Sequence, residues 1–387
     1  MEEFLRGLLH NLEQRCALLR DRVAATSANL DVRDHALLAY RMVEHVRRDA
    51  VQLLADPSLG APALLRNHLH LYKRWHESAI LIELYLLPFI ERYAELDRRL
   101  TWLCRRLAQQ VHWPTPTPLI AAFSSQYYWT MPGLSLICAP ATEGTTLLGL
   151  PDLCHELGHS LLLHHEMGLI GDFLQELAAY IDQEQRRVAV QQRPPEYRRL
   201  YKLLFAQWQD AWLREFVSDM VASYLVGPAF GWQHVRLCAG RSQDAYHPTL
   251  GEAAEHPADE ARLRGVLAVL ALMGAQEAGA RIDALWHGYL AASGESKPAD
   301  YEVCYPQALI ESLARYAVAG CQALGLRAFN QIVDPSRPDD IPALLGEAWE
   351  RFLTDSQTYA SWERQRLQGL WQEFDCARSP GPKRQST

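Results

Sequence analysis

The sequence predicts a mostly helical chain of the α+β kind, with a small β-sheet set between N-terminal and C-terminal helical regions. Three observations predict it. Apolar residues recur at helical spacing over roughly the first 110 positions and again after Pro151. Short β-like runs occur only between Pro118 and Pro140. Between these textures lies Pro114-Thr115-Pro116-Thr117-Pro118, whose alternating prolines cannot continue a helix and favour extended backbone.

The elements follow in order. Phe4, Leu8, Leu12, Leu18 and Leu19 mark a first helix, with Arg and Glu between them. A second is expected over 34–54, ending near Asp56-Pro57, and two more over 63–92 and 93–112, the former interrupted at Pro88. Their Leu and aromatic stripes read as a helical bundle packing on itself. After the proline run come three β-like stretches, 119–123, 126–130 and 134–138, separated by turn residues such as Pro132-Gly133. Helices return over 151–168, 171–189, 195–209 and 211–226. A stretch rich in Gly, His and Pro, 227–257, is expected to be a loop. Helix then continues to about residue 376, with breaks near 293–299 and 334–341. The domains expected are a helical region 1–113, a core 114–275, a second helical region 276–376 and a disordered tail 377–387.

Composition narrows the function. The 387 residues include 38 basic and 46 acidic side chains, a net charge of −8, with 49% hydrophobic and 22% charged residues. Those fractions are those of an ordinary globular chain. An acidic balance lacks the surplus of Lys and Arg that phosphate backbones require, so no nucleic-acid partner is expected. The longest uncharged apolar run, Gly265–Ala275, is 11 residues; a membrane span needs about 20. Met1–Arg6 carry neither the basic start nor the apolar run of a secretory signal. Eight cysteines are scattered without a CxxC pair. Reduced, buried thiols and a cytoplasmic protein are therefore expected.

The chemistry concentrates at Pro151-Asp152-Leu153-Cys154-His155-Glu156-Leu157-Gly158-His159-Ser160. His155 and His159 are four apart, so on a helix they share one face. Two imidazole nitrogens so placed reach one Zn²⁺ at about 2.0–2.1 Å. Glu156, at the edge of that face, can take a proton from water. Downstream, Glu215 and Asp219 are again four apart on an apolar, helix-like segment. Alone they would read as solvated carboxylates. Paired with HExxH, Glu215 supplies a third ligand, and Asp219 accepts a hydrogen bond from the other nitrogen of a ligand histidine. One Zn²⁺ per chain is expected. Cys154 is read as helix packing, and His164 and His165 as partly exposed helix residues.

With these residues in view, the chain resembles the gluzincin metallopeptidases, the thermolysin-type zincins. The element His256-Pro257-Ala258-Asp259-Glu260-Ala261-Arg262-Leu263 is similar to the HP-x4-R element of CAAX-prenyl-protease and HtpX-type peptidases, without their membrane spans. The resemblance covers roughly residues 119–270. It implies a zincin-like core and a strand, matching Leu134–Ala139, whose unpaired edge binds substrate as an added strand. It also favours His256 and Arg262 as donors to the oxyanion of a tetrahedral intermediate; His247, Tyr301 and Tyr305 remain candidates.

The function expected is thus zinc-dependent hydrolysis of peptide bonds in a protein or peptide substrate, with Glu156 as general base. Two alternatives stay open: a non-catalytic zinc-stabilised scaffold that binds protein partners, and a zinc amidohydrolase acting on a small amide.

Overall fold

Helix dominates the computed structural model, which describes residues 1–26, 29–124, 127–191, 194, 196–241, 244–331 and 340–378. A three-stranded sheet is the other regular element. The chain divides into two compact units.

One unit comprises Met1–Thr101, Leu119–Ala122 and Met131–Cys138. Helix α1 (Glu2–Thr26) buries Leu5, Leu9, Leu12, Cys16, Leu19 and Val23, a stripe at three- and four-residue intervals. That stripe packs against α2 (Arg33–Leu54), which buries Ala39, Val43, Val46, Ala50 and Leu53. Helix α3 (Leu65–Leu81) passes through a π-turn at Ile82–Leu86 into α4 (Leu87–Arg92). The break expected at Pro88 takes this form because proline has no N–H for the preceding turn, and the wider turn lets it enter α4 at its first positions.

Helix α5 (Glu95–Gln110) begins in this unit. Buried Asp97 accepts hydrogen bonds from the N–H of Ala94 at 2.6 Å, from that of Ala122 at 2.7 Å and from Arg92 Nη2 at 2.8 Å. Thr101 Oγ1 accepts from the N–H of Ile120 at 3.0 Å. These bonds fasten strand β1 (Leu119–Ala121) to the helix. With β2 (Trp129–Met131) and β3 (Leu136–Cys138) the sheet order is β1-β3-β2. Strands β1 and β3 are parallel, with Ile120 opposite Ile137. The substrate-binding edge expected at Leu134–Ala139 is therefore corrected: β3 is the middle strand, so both its sides are paired within the sheet.

The second unit comprises Trp102–Pro118, Phe123–Thr130 and the chain from Ala139 onward. Its helices are α6 (Pro151–Ile170), α7 (Phe173–Val190), α8 (Glu196–Gln207), α9 (Leu213–Val226), α10 (Pro228–Ala239), α11 (Asp259–Leu272), α12 (Gln276–Ser293), α13 (Tyr301–Cys304), α14 (Gln307–Ala323), α15 (Ile341–Thr354) and α16 (Ser356–Arg378). Every residue of α9 except Arg214 is buried. It packs against α6, α11, α14 and α15, which is why its sequence is apolar nearly all round. Helices beyond residue 276 thus share a unit with α6 and α9, so 275/276 is not a boundary between compact units. Residues 379–387, most of the expected tail, lie outside the described residues, as does most of the expected break at 334–341. Among the described residues, no helix is long and apolar enough to cross a membrane.

The expected loop 227–257 contains helix α10. Two breaker residues are compatible with it. Pro228 occupies a first-turn position, where a missing N–H costs nothing. Gly231 allows close approach to α12: a Cβ there would lie 2.7 Å from Cδ1 of Ile282.

The N-terminus of α6 rests on a buried polar cluster. Gln233 Nε2 donates to Asp152 Oδ2 at 2.6 Å and to the Tyr127 hydroxyl at 2.7 Å. Tyr128 donates its O–H to Glu143 Oε2 at 3.1 Å. Burial, with Asp152 nearby, raises the Glu143 carboxyl from 4.5 to about 7. The folded chain therefore holds a proton on Glu143 between those values that the unfolded chain has released. Stability contributed by this site is present below pH 4.5 and lost as pH rises towards 7. Glu143→Gln keeps the acceptor for Tyr128 and removes the titration. Its stability, followed by urea unfolding, should match wild type at low pH and exceed it at about pH 8, by at most roughly 3 kcal/mol. Parallel pH profiles for the two proteins would contradict the assignment.

Candidate metal centre

The centre forms where α6 crosses α9, and the sequence shows why they can meet there. In α6, His155, Gly158 and His159 stand at offsets of three and four; in α9, Glu215, Ser218 and Asp219 repeat that spacing. Each small residue therefore lies on the same face as its two functional neighbours. A Cβ on Gly158 would lie 2.7 Å from the Cα of Ser218 and 3.0 Å from its Cβ. Only glycine permits this approach.

Upstream, a π-turn at Trp208–Trp212 leads into α9 and sets the phase at which Glu215 faces inward. It is held by aromatic packing. Trp208 stacks on Phe216 with ring centroids 4.9 Å apart, and Trp212 on Tyr305 at 4.8 Å. The indole N–H of Trp208 donates to the Cys304 carbonyl at 2.9 Å, and that of Trp212 to the Ala254 carbonyl at 3.1 Å.

Three donor groups converge. His155 Nε2 and His159 Nε2 are 3.1 Å apart. Glu215 Oε2 lies 3.5 Å from His155 Nε2, and Oε1 lies 3.3 Å from His159 Nε2. Ligands at 2.0–2.1 Å around a tetrahedral ion are separated by about 3.3–3.4 Å. The two imidazole nitrogens thus face the two oxygens of one carboxylate at separations close to those of ligands sharing one ion. Glu215 Oε2 is buried and makes no hydrogen bond, although His256 Nδ1 is 2.9 Å away. A buried carboxylate facing two imidazoles fits a cation-binding set of Zn²⁺ type, with His155, His159 and Glu215 as holders.

Behind this face stands a second layer of polar contacts. Asp219 Oδ1 is 2.7 Å from His155 Nδ1, which directs Nε2 at the centre. Arg262 grips the same carboxylate twice, Nε to Oδ2 at 2.7 Å and Nη2 to Oδ1 at 2.8 Å. Phe230 of α10 lies nearly parallel to the His155 ring. Burial disfavours charge on His155, but Asp219 and Glu215 outweigh it and lift the imidazole to about 10. Burial also lowers His159. Glu215 is held well below the usual carboxylate range, because the three histidines outweigh its burial. For Glu156 burial dominates and raises the carboxyl to about 8. In the metal-free chain a proton on His155 thus partly balances charge that a cation would otherwise balance.

The remaining candidates separate clearly. His256 reaches the centre through Glu215, and its side chain is 57% exposed, which puts it on the solvent side. Arg262, expected to donate to an oxyanion, is buried and has Nε and Nη2 committed to Asp219. Its role here is to position Asp219. His247 pairs with Glu252 at 3.0 Å and with Asp244, both on its own loop, and not with the donor set. Tyr301 donates to Glu260 at 2.5 Å, and Tyr305 to the Pro248 carbonyl at 2.9 Å. Cys154 is buried, His164 is exposed and His165 sits at a kink in α6. Sequence reasoning missed a second convergence, His234, Cys238 and Asp259, because its first two members lie in the stretch read as loop. The His-x-x-x-Cys spacing was the available signal. Compared with family models, curated proteins and solved structures, the chain gives no match.

Gly158→Ala should lose about 1–3 kcal/mol in urea unfolding and bind zinc more weakly in chelator competition. Gly168→Ala, on the same helix with nothing within 4 Å of its Cβ position, should cost nothing. Equal behaviour of the two variants would remove the crossing from the account. In protein purified without added metal, His159→Ala should lose one zinc ion per chain by elemental analysis. Asp219→Ala should weaken zinc about 10–100-fold while leaving the circular dichroism unchanged; unaltered affinity would reduce Asp219 to a structural carboxylate.

Proposed function

We propose that this chain is a zinc-dependent hydrolase of amide bonds, a metallopeptidase acting on a protein or peptide substrate. The observation that supports it most is the convergence of His155, His159 and Glu215 within ligand reach of one ion, with a carboxylic acid, Glu156, next to the first ligand. A site serving only to stabilise the fold has no need of that acid.

A Zn²⁺ bound there supplies a water of lowered pKa and a Lewis acid for the scissile carbonyl. The chain's own residues do the rest. Glu156, in the carboxylate form that a neighbouring cation favours over the acid, accepts a proton from the attacking water as the C–O bond forms. As the C–N bond breaks it returns that proton to the leaving nitrogen, giving a carboxylic acid and an amine. His256, on the exposed side with Nδ1 towards Glu215, is assigned as donor to the oxygen that becomes negative, a role that requires the imidazolium, in which both ring nitrogens carry a proton. Arg262 and Asp219 keep His155 in one orientation throughout.

The test is Glu156→Gln, which keeps the shape of the side chain but cannot accept the proton. The variant should fold, hold zinc at wild-type stoichiometry and lose about 10²–10⁴-fold in hydrolysis. The readout is the set of new N-termini formed when each purified protein is incubated with a cell extract. New termini released equally by both proteins would overturn the hydrolase reading and leave a zinc-stabilised scaffold in its place.

A further inference from the structure

We propose that His234, Cys238 and Asp259 form a second metal site, closed and structural, that holds α10 against the start of α11. The two helical donors are four apart on α10 and so share a face. Asp259 opens α11. One ligand atom from each lies within 4.8 Å of the others. Their exposures are 3%, 2% and 3%, so the cluster has no open side for a substrate.

Distances and unmet bonding both point to a cation. Cys238 Sγ is 3.6 Å from His234 Nε2. Tetrahedral zinc with a sulfur at about 2.3 Å and a nitrogen at 2.0–2.1 Å separates the two by about 3.5 Å. Asp259 Oδ2 is buried without a hydrogen-bond partner, the carboxylate interacts with the Cys238 thiol, and Oδ1 lies 3.8 Å from Arg241 Nη1. An unsatisfied buried carboxylate oxygen is costly, and a cation relieves it. The Asp259 carbonyl lies 2.9 Å from His234 Nε2, where it accepts the imidazole proton in the metal-free chain. Binding moves that proton to Nδ1 and releases the thiol proton to solvent. The carbonyl oxygen is then free to complete a set of four. A thiolate and a carboxylate neutralise a divalent ion, and the mixed S, N and O donors favour zinc.

This site would also support the first. Helix α11 carries Arg262, which holds Asp219, which holds His155. It does not depend on the hydrolase reading, because the first centre has no sulfur ligand.

Cobalt(II) distinguishes the two sites, since only thiolate ligation gives an intense sulfur-to-cobalt band in the near ultraviolet. The full-length protein loaded with Co²⁺ should show that band, and elemental analysis of the zinc form should find two ions per chain. Cys238→Ala should lose the band and one of the two ions. His159→Ala should lose the other ion and keep the band, as should Cys154→Ala keep it. Should Cys238→Ala fail to fold, Asp259→Asn provides the second variant and should also lose one ion, while the wild-type spectrum needs no variant. A Co²⁺ protein without the band, or a Cys238→Ala protein that retains it, would overturn the proposal.

Discussion

The candidate centre depends on how closely α6 approaches α9, and that distance is set where Gly158 meets Ser218. A side chain in place of Gly158 would push the helices apart, and ligand atoms that must lie within about 3.4 Å of one another would no longer share an ion. The small residues sit between the functional ones on each face, so the contact acts on the donors directly. Interiors are too densely packed for the rest of the unit to absorb such a change.

Charge imposes the next requirement. Glu215 and Asp219 are two buried carboxylates on one helix, and buried charge persists only when paired. Arg262 supplies one positive charge, with both bonds directed to Asp219 and Glu215 Oε2 at a longer 3.6 Å. One negative charge is left over. It faces the imidazoles of His155 and His159, at 3.5 and 3.3 Å. This explains why α11 belongs to the centre although it provides no ligand: without Arg262, α9 would hold an excess of charge that one histidine cannot offset.

How much of this was legible in the sequence differs by residue. The ligand spacing was legible, because offsets of four on a helix are purely local geometry. The partner of His155 was legible for the same reason, Asp219 being one turn from Glu215. Tertiary placement was not. Arg262 reads as an exposed donor until the packing of α11 turns it towards Asp219, and His247 reads as a site histidine until Glu252 claims it. Helix α10 was hidden by Gly231, which serves packing against α12 rather than a turn, and its concealment hid His234 and Cys238 as well. The middle position of β3 could not be read from a three-residue strand, since strand order depends on crossovers and not on local pattern. The helical regions were legible as helix, but a compact unit running on past residue 276 was not, because periodicity does not say what a helix packs against.

The side of the centre that faces solvent raises a different question, whether its access is fixed or gated. His256 belongs to the segment between α10 and α11, whose described residues contain no helix or strand. It is tied down on both flanks. Ala254 accepts hydrogen bonds from the side chains of Gln207 and Trp212, at the junction that leads into α9. Tyr305 donates to the Pro248 carbonyl and accepts from the N–H of Ala258. The same aromatic cluster that sets the phase of Glu215 therefore also sets the height of His256. Ligand and rim are positioned by one rigid group, so displacing Trp212 or Tyr305 would alter both together. Such a coupling suits a centre whose open side is built in place rather than closed by a lid.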